Sequence, residues 1–340
     1  MATLGIEALT MSDLRKRSNF DGSVDFIIEA LENSNPVLQD MVWKEGNLPT
    51  GNKTTIRTAL PTPQVRLINR GITPSKSLTK QVTDTCMMLE DRSTIDVKLL
   101  RLYGGNAEAY RRSEDAAFVQ GFSDVIAANL FYGDTDANPG TFNGLSVRYS
   151  VCGGEKNDAG YQVVSGGTPG TDTNTSAFLV GFGTHATTGI YPRGSQAGLH
   201  KEDLGENDAE DANGGKYRAV STLFSFDCGL AVQDIRANAL VRNIDVTKLA
   251  GMTSAQKLAL IEKFVIAKNR IRNLQRGDKK LVWYVSSTMY DFFELYLLDK
   301  NNVHVTRQDL LGQSPVLYFA GIPVKMCDAI SEKEAAFTVV

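Results

Sequence analysis

The segment NLFYGDTDANPGTFNGL, residues Asn129–Leu145, ends a long helix and redirects the chain. Its first residues are apolar at helical spacing, and the rest are rich in the turn formers Gly, Asp, Asn and Pro. We interpret Gly133 and Pro139 as the end of the helix. Gly144 and Leu145 then begin the next strand. The segment is therefore predicted to be an architectural corner rather than a ligand-binding loop.

A long helix precedes this corner, predicted over about residues 106–131. Phe118, Phe122 and Leu130 recur at helical spacing, whereas charged and amide side chains cover the opposite face. At ~1.5 Å per residue, such a helix is roughly 40 Å long. The chain therefore contains a rod that is long enough to cross a whole domain.

Residues 49–85 lie before the helix and are predicted to form a basic, Thr-rich ribbon of two strands. Alternation along residues 53–58 and again along residues 64–69 indicates the strands, and prolines bound both runs. The ribbon has too little apolar surface to form a core, and an isolated two-stranded ribbon is only marginally stable. We therefore expect it to lie on another subunit.

Basic residues are concentrated in this ribbon and in the arm that precedes it. Any one of them is explained by a solvated strand face, but their density favours salt bridges between subunits or contact with nucleic acid. The predicted interface residues are Arg15, Lys16, Arg17, Lys53, Arg57, Arg66, Arg70, Lys76 and Lys80.

The chain after the corner changes composition twice. Residues 146–176 are rich in Gly, Thr and Ser and are predicted to be a surface insertion. Short β-like runs dominate residues 177–247, interrupted by the acidic loop HKEDLGENDAEDANGG at residues 200–215. Helices and strands alternate from residue 248 onward, which is typical of a compact α/β unit.

Overall composition excludes several classes of protein. The 340 residues carry a formal net charge of −3, so no global field attracts the chain to nucleic acid or a membrane. No stretch approaches the ~20 apolar residues of a membrane span, and the N-terminus lacks the apolar core of a signal peptide. The four cysteines are scattered singly, as in intracellular proteins with reduced thiols. We expect a soluble protein without a membrane partner.

Motifs for catalysis or ligand binding are not found in the sequence. His185, His200 and His304 stand far apart and match no metal-ligand spacing, and neither a nucleophile elbow nor a phosphate-binding glycine motif occurs. The acidic loop fails as a calcium site because Ala209 and Val220 occupy positions that require carboxylates. We therefore predict no catalytic residue, no cofactor and no metal.

The order of these parts resembles the major capsid protein of tailed bacteriophages, which has the Hong Kong 97-type fold. The long helix and its corner are similar to the spine helix of that family and the stretch that follows. LVWYVSSTMYDFFELYLLDKNN, residues 281–302, is similar to the axial-domain strand and helix, and LYFAGIPVKMCDAI, residues 317–330, to a strand pair. The ribbon most resembles that of short-tailed phages. The matching turn residues are Gly133, Pro139, Gly144, Gly321 and Pro323.

This resemblance implies an α+β fold with an N-terminal arm, an extended β-ribbon loop, a peripheral domain and a compact α/β axial domain. The implied divisions are the arm 1–48, the extended loop 49–85, the peripheral domain 86–145, the surface insertion 146–176, β-rich peripheral segments 177–247, the axial domain 248–330 and a C-terminal strand or tail 331–340. The peripheral strands usually follow the axial strand pair, so we hypothesise a rearranged strand order on the same fold.

The same resemblance implies a structural protein that forms pentamers and hexamers of an icosahedral shell around double-stranded DNA. Implied partners are other copies of the chain, a separate scaffolding protein, a portal, a cement or decoration protein, and DNA bound nonspecifically on the inner face. The shell would be part of the virion and would assemble in the cytoplasm of the host bacterium. Lys53, Lys76 or Lys80 would be the crosslinking lysine of self-crosslinking relatives, but no local motif identifies its partner, so we expect a noncovalent shell.

Three alternatives remain open at this point. An encapsulin-like nanocompartment would share the fold and store cargo. An enzyme built on the α/β unit would use a site near Asp299 or His304. A phage tail or decoration protein would more typically be all-β than carry two long helices.

Overall fold

The computed structural model of the chain describes residues 35–103, 107–156, 158–211, 214–271, 279–298, 305–308 and 316–338. Its helices are α1 (Val37–Asp40), α2 (Val97–Tyr103), α3 (Ala107–Tyr132), α4 (Leu145–Arg148), α5 (Val246–Leu249), α6 (Ser254–Arg270) and α7 (Ser287–Leu297). Its strands are β1 (Trp43–Glu45), β2 (Gly51–Ala59), β3 (Leu78–Asp96), β4 (Val163–Ser165), β5 (Asn174–Phe182), β6 (Thr187–Tyr191), β7 (His200–Glu210), β8 (Lys216–Val232), β9 (Ala239–Asp245), β10 (Lys280–Val285), β11 (Val305–Gln308), β12 (Val316–Phe319) and β13 (Ile322–Met326).

These strands form one continuous sheet, whose main path runs β11, β12, β13, β10, β5, β6, β8, β3 and β2. Strand β5 is buried along its whole length and pairs antiparallel with both β10 and β9. A strand that is covered on both faces has a nearly continuous hydrophobic sequence, as AFLVGF does here. The centre of the fold is therefore the junction of β9, β5 and β10.

Alternate side chains of these central strands pack into two hydrophobic cores, one on each face of the sheet. On one face, Phe178 and Tyr284 contact Phe131 of α3, with ring centroids 4.8 and 6.0 Å away. On the other face, Trp283 contacts Phe264 of α6 at 5.0 Å. Each fully buried side chain of this size contributes about 1.5–3 kcal/mol. The body of the protein is thus a sheet between α3 on one side and α6 with α7 on the other.

The placement of β5 and β9 corrects the predicted strand order. Both strands share a sheet with β10 and pack under α6, so the hypothesis that all of 177–247 forms separate peripheral strands is wrong for them. The predicted surface insertion 146–176 is also wrong in part, because Val163 is buried in β4, which pairs parallel with β9. Alternation in the sequence identifies a strand but does not specify its partner.

The acidic segment is a strand over residues 200–210 rather than the predicted solvated loop. Its first eleven residues form β7, an exposed edge strand that pairs antiparallel with β8. Charges on an edge strand are compatible with pairing because they oppose aggregation rather than strand formation. Arg111 of α3 reaches Asp203 of β7 at 2.9 Å, which ties the helix to this edge of the sheet.

Helix α3 spans Ala107–Tyr132, close to the predicted bounds, and ends at a tightly packed corner. The amide of Gly133 donates to the carbonyl oxygen of Asn129 (2.9 Å), and the amide of Gly144 donates to that of Gly133 (2.8 Å). A Cβ on Gly133 would lie 2.3 Å from the Phe142 carbonyl oxygen, so only glycine fits there. The returning chain therefore presses directly on the end of the helix.

Two details of the predicted turns are wrong. Gly144 and Leu145 lead into the short helix α4 and not into a strand, because the Arg148 amide donates back to the Gly144 carbonyl. Pro323 lies within β13, opposite Tyr318 of β12, rather than in the turn. Gly321 does occupy that turn, with φ +80°, a conformation that favours glycine.

A strap at residues 35–45 crosses the α3 side of the sheet. The Asn35 side chain donates to the Asp124 carboxylate at 2.6 Å, and Trp43 of β1 pairs parallel with β6. Between them, the buried carboxylate of Asp40 accepts hydrogen bonds from Lys280, Lys325 and Tyr284 at 2.6–2.8 Å. The strap is therefore fixed to two strands at a single carboxylate.

Among the described helices, none combines the length and the apolar character that crossing a membrane requires.

Candidate assembly interface

The hairpin of β2 and β3, called the ribbon below, is largely exposed. Its register runs from the Gly51–Thr85 pair at the base to the Ala59–Leu78 pair at the outer end. Below the base, β3 continues into the body and pairs with β8 from Cys86 onward. The ribbon is thus an extension of a strand that is anchored in the main sheet.

A buried ion pair fixes the base of the ribbon. Asp84 of β3 is 2% exposed and lies 2.7 Å from the guanidinium of Arg148 in α4. Arg148 also donates to the carbonyl oxygens of Asn143 and Leu230, at 2.8 and 2.9 Å. Burial raises the pKa of the Asp84 carboxyl, and Arg148 opposes part of that rise. The corner after α3 therefore positions the arginine that holds the ribbon.

The second predicted strand of the ribbon, residues 64–69, is wrong. The partner of β2 is 78–85, and residues 60–77 form an exposed loop, called the tip below. Pro61 and Pro63 lack amide donors and interrupt the ladder, which leaves the alternation at 64–69 without a strand. Instead, the Arg70 amide donates to the Leu67 carbonyl oxygen at 3.2 Å, which closes a turn.

The predicted basic residues do not converge on one patch. Lys53 and Arg57 share one face of the ribbon, whereas Lys80 pairs with Ile56 on the opposite face. The remaining predicted cations, Arg66, Arg70 and Lys76, lie in the tip. All six side chains are exposed, and within the described part of the chain none makes an ion pair. Arg15, Lys16 and Arg17 lie outside the described residues.

Aliphatic side chains of the tip are the feature that the sequence prediction missed. Val65, Leu67 and Ile68 fall in the predicted second strand, but a run of aliphatic residues between prolines that has no partner strand indicates a surface that the chain does not bury. Contiguous exposed apolar surface marks an interaction site. The exposed fractions are Leu60 74%, Val65 94%, Leu67 62%, Ile68 93% and Ile72 57%.

An open groove of about 370 Å³ lies between β3 and the middle of α3. Its apolar lining includes Phe118 and Phe122, and the rim includes Val125, which is 44% exposed. Glu90 and Asp91 of β3 also line it, and neither carboxylate makes an ion pair within the described residues. The groove is thus mainly apolar. Asp91 lies on the strand face that α3 covers, whereas the neighbouring Glu90 lies on the opposite face.

The described residues contain no group of three or more His, Cys, Asp or Glu side chains arranged to hold a metal ion. His185 and His200 are exposed, and His304 and Asp299 lie outside the described residues. Burial raises the pKa of the Cys327 thiol to about 12, so that thiol stays protonated near neutral pH.

A long helix laid across a sheet, a ribbon that leaves the body, and apolar surface that the chain does not bury together define a capsid subunit of the Hong Kong 97 type. The model of the family "Major capsid protein GP7" matches residues 19–338. The chain belongs to the family of the major capsid protein GP7. The resemblance and the fold class inferred from the sequence are therefore confirmed.

Several solved structures are similar to the chain. A chain of the cryo-EM structure of bacteriophage Epsilon15 is 29% identical, with a TM-score of 0.79 over 100% of both chains. The bacteriophage JBD30 capsid is 12% identical, with a TM-score of 0.48 over 88% of this chain and 93% of that one. The SrpI encapsulin of Synechococcus elongatus is 13% identical, with a TM-score of 0.43 over 71% and 97%. No curated protein sequence matches the chain.

The protein is therefore a structural protein of a phage capsid. The capsid is assembled from many copies of this chain and is part of the virion. The family match favours the phage shell over the nanocompartment alternative.

Proposed function

We propose that the protein forms the pentamers and hexamers of an icosahedral shell that encloses double-stranded DNA, and that it catalyses no reaction. The observation that carries this proposal is the ribbon. Its tip exposes five aliphatic side chains that the chain itself does not bury. Exposed apolar surface of this kind marks a site where another molecule binds. In a capsid, each subunit is surrounded by other copies, so a neighbouring subunit is available to cover this surface.

The ribbon would interlock the subunits through many modest contacts. Its six cations lie on both faces and at the tip, so one ribbon can contact more than one neighbour. Exposed ion pairs contribute only about 0–1 kcal/mol each. Multivalency makes the sum strong, since each contact raises the effective concentration of the next. The arm at residues 1–48 would act in the same way.

The strand pairing in the sheet supports a division of the shell subunit into domains. We assign β3 from Cys86 onward, with β7, β8 and α3, to the peripheral domain and residues 49–85 to the extended loop. The central strands, with α6 and α7, form the axial domain that meets its copies around the five-fold and six-fold axes. Interfaces around such axes are heterologous and close into rings.

The shell would be noncovalent. Lys53, Lys76 and Lys80 are exposed on the ribbon, but no sequence motif supplies the asparagine and glutamate that a crosslink requires. A separate scaffolding protein would direct assembly in the cytoplasm of the host bacterium, with a portal at one vertex and a cement protein as a further partner. With a net charge of −3, the subunit would contact DNA locally and without sequence specificity.

Negative-stain electron microscopy of the purified protein, alone and with its scaffolding protein, tests this proposal. We expect closed shells, or free pentamers and hexamers, under at least one of the two conditions. A protein that stays monomeric under both conditions would contradict it.

A further inference from the structure

We propose that residues 331–337, called the clasp below, couple the end of α3 to the start of α7 through one short segment. In the proposed division into domains, α3 is peripheral and α7 is axial, so the clasp would hold the two domains of a subunit at one angle. This effect on the shell rests on the proposed function, whereas the coupling itself is a property of the single subunit.

The first anchor of the clasp is Glu334, whose side chain is 9% exposed. Its carboxylate accepts hydrogen bonds from the hydroxyls of Tyr132, the last residue of α3, at 2.6 Å and of Ser176 in β5 at 2.5 Å. The guanidinium of Arg242 in β9 lies 3.7 Å away. Glu334 and Asn174 of β5 also exchange two backbone hydrogen bonds, at 2.9 and 3.3 Å. Because this buried carboxylate is both paired and hydrogen-bonded, it fixes the clasp to the end of α3.

The second anchor is Glu332, which caps α7 from a distant part of the chain. Ser286 stands at the cap position of that helix, but its side chain makes no capping hydrogen bond. The Glu332 carboxylate instead accepts hydrogen bonds from the Thr288 amide at 3.0 Å and from the Ser287 hydroxyl at 3.4 Å. The first amides of a helix have no partner within it, and negative charge is favourable beside them. The start of α7 therefore depends on the clasp for its cap.

The third anchor is Phe337, which is held by β9. The side-chain amide of Asn243 donates to the Phe337 carbonyl oxygen and accepts from the Phe337 amide, both at 2.8 Å. The Arg242 guanidinium lies over the Phe337 ring, 4.1 Å from its centroid. Asn243 has φ +60°, a left-handed conformation that Asn adopts more readily than most residues. A side chain of β9 thus pairs with the clasp as the backbone of a neighbouring strand would.

The three anchors lie too close together in the chain to act separately. Only Lys333 separates the two glutamates, and Phe337 follows three residues after Glu334. Lys333 itself is exposed and makes no ion pair among the described residues. A short segment that is fixed at three points opens as one unit, because loosening one anchor frees the residues beside the next. Contacts at the end of α3 should therefore stabilise the cap of α7.

Amide hydrogen exchange in the unassembled full chain tests the coupling, because it reports the opening of each hydrogen bond. The Thr288 amide reports the Glu332 anchor, and the Phe337 amide reports the anchor at Asn243. Phe337→Ala should speed exchange at Thr288 by about fivefold or more, and Glu332→Ala should speed exchange at Phe337 by the same factor, because coupling between two sites is reciprocal. Lys333→Ala is the matched control and should change neither rate.

Tyr132→Phe extends the test to α3, since it removes one hydroxyl and little volume. It should also speed exchange at Thr288 by about fivefold or more. Amides of β10 that pair with β5 should keep their rates, which separates opening of the clasp from global destabilisation. Exchange at Thr288 that stays within about twofold of the wild type in both Tyr132→Phe and Phe337→Ala would overturn the proposal, because the anchors would then open independently.

Particle geometry tests the consequence for the shell. Electron microscopy of assembly reactions should show one diameter for the wild type and Lys333→Ala. Glu332→Ala and Tyr132→Phe should give a spread of diameters or open sheets, because a variable angle between the domains fits more than one curvature. A single wild-type diameter in both variants would overturn this consequence. If the wild-type protein forms no particles, the shell function falls, and the exchange rates still decide whether the clasp couples α3 to α7.

Discussion

Replacing Gly133 with alanine tests the corner at the end of α3, with Gly121→Ala as a matched control in the same helix. A Cβ on Gly133 would lie 2.3 Å from the Phe142 carbonyl oxygen and 2.7 Å from that of Asn129. Both contacts are with backbone, which cannot rotate away. A Cβ on Gly121 would have no heavy atom within 4 Å.

The two changes should therefore have opposite signs. To relieve the contacts, the backbone must separate at the Gly133–Asn129 and Gly144–Gly133 hydrogen bonds. Losing two hydrogen bonds costs about 1–3 kcal/mol, and overpacking a rigid site costs about 1–3 kcal/mol more. We expect Gly133→Ala to lower the free energy of unfolding by about 2–6 kcal/mol. Gly121→Ala should raise it by about 0.5–1 kcal/mol, because alanine favours a helix interior.

Denaturant unfolding of the unassembled subunit, followed by circular dichroism and by the fluorescence of the buried Trp283, measures both changes. A Gly133→Ala variant within about 0.5 kcal/mol of the wild type would refute the reasoning, because the corner would then tolerate a side chain. A Gly121→Ala variant that is strongly destabilised would show that the middle of α3 is packed where the structure leaves it open.

Three further predictions follow from the ion pairs and the ribbon. Arg148→Ala leaves the buried Asp84 carboxylate without its ion-pair partner and should lower the unfolding free energy by about 3–5 kcal/mol. Adding Asp84→Asn to the same chain should restore most of that loss. A double variant as unstable as Arg148→Ala would contradict the pairing. Burial raises the pKa of Asp40, but hydrogen bonds from Lys280, Lys325 and Tyr284 outweigh it and hold that pKa below its usual value near 3.8. The ionised Asp40 therefore contributes its full stabilisation to the folded state above about pH 3.8, and this contribution is lost as pH falls through the lowered pKa. Asp40→Asn should make the unfolding free energy depend less on pH at the acid end. An unchanged pH dependence would contradict this. Lys53→Glu with Arg57→Glu should reduce the yield of particles in light scattering without changing the melting temperature of the subunit, and a lowered melting temperature would instead indicate a role within the subunit.

The helices were the part of the fold that the sequence predicted well. Helix α3 is an example, because the helical spacing of Phe118, Phe122 and Leu130 predicts a helix over about residues 106–131, and the helix spans Ala107–Tyr132. The residues that define a helix lie within a few positions of one another, so a short stretch of sequence is enough to recognise the helix.

Strand partners were harder to predict because they depend on residues far apart in the chain. The sequence around Leu179 indicates a strand, but nothing local indicates that it pairs with Trp283. The same limit explains the ribbon, where alternation at 64–69 looked like a second strand although the actual partner of β2 begins at Leu78. Register is set by the fold as a whole.

The sequence predicted that the ribbon exposes basic residues, but it did not predict the exposed aliphatic surface of the tip. Lys53 and Arg57 are exposed on the ribbon, as are Val65 and Ile68 on the tip. An aliphatic residue in a sequence is by default assigned to the core of its own chain. Only a structure shows that the chain leaves it uncovered.

Electron cryo-microscopy of the assembled particles tests the central claim most directly. The account predicts a closed shell in which the ribbon of each subunit lies on another subunit. A shell whose ribbons fold back on their own subunits, or point into solvent without contacting a neighbour, would contradict it.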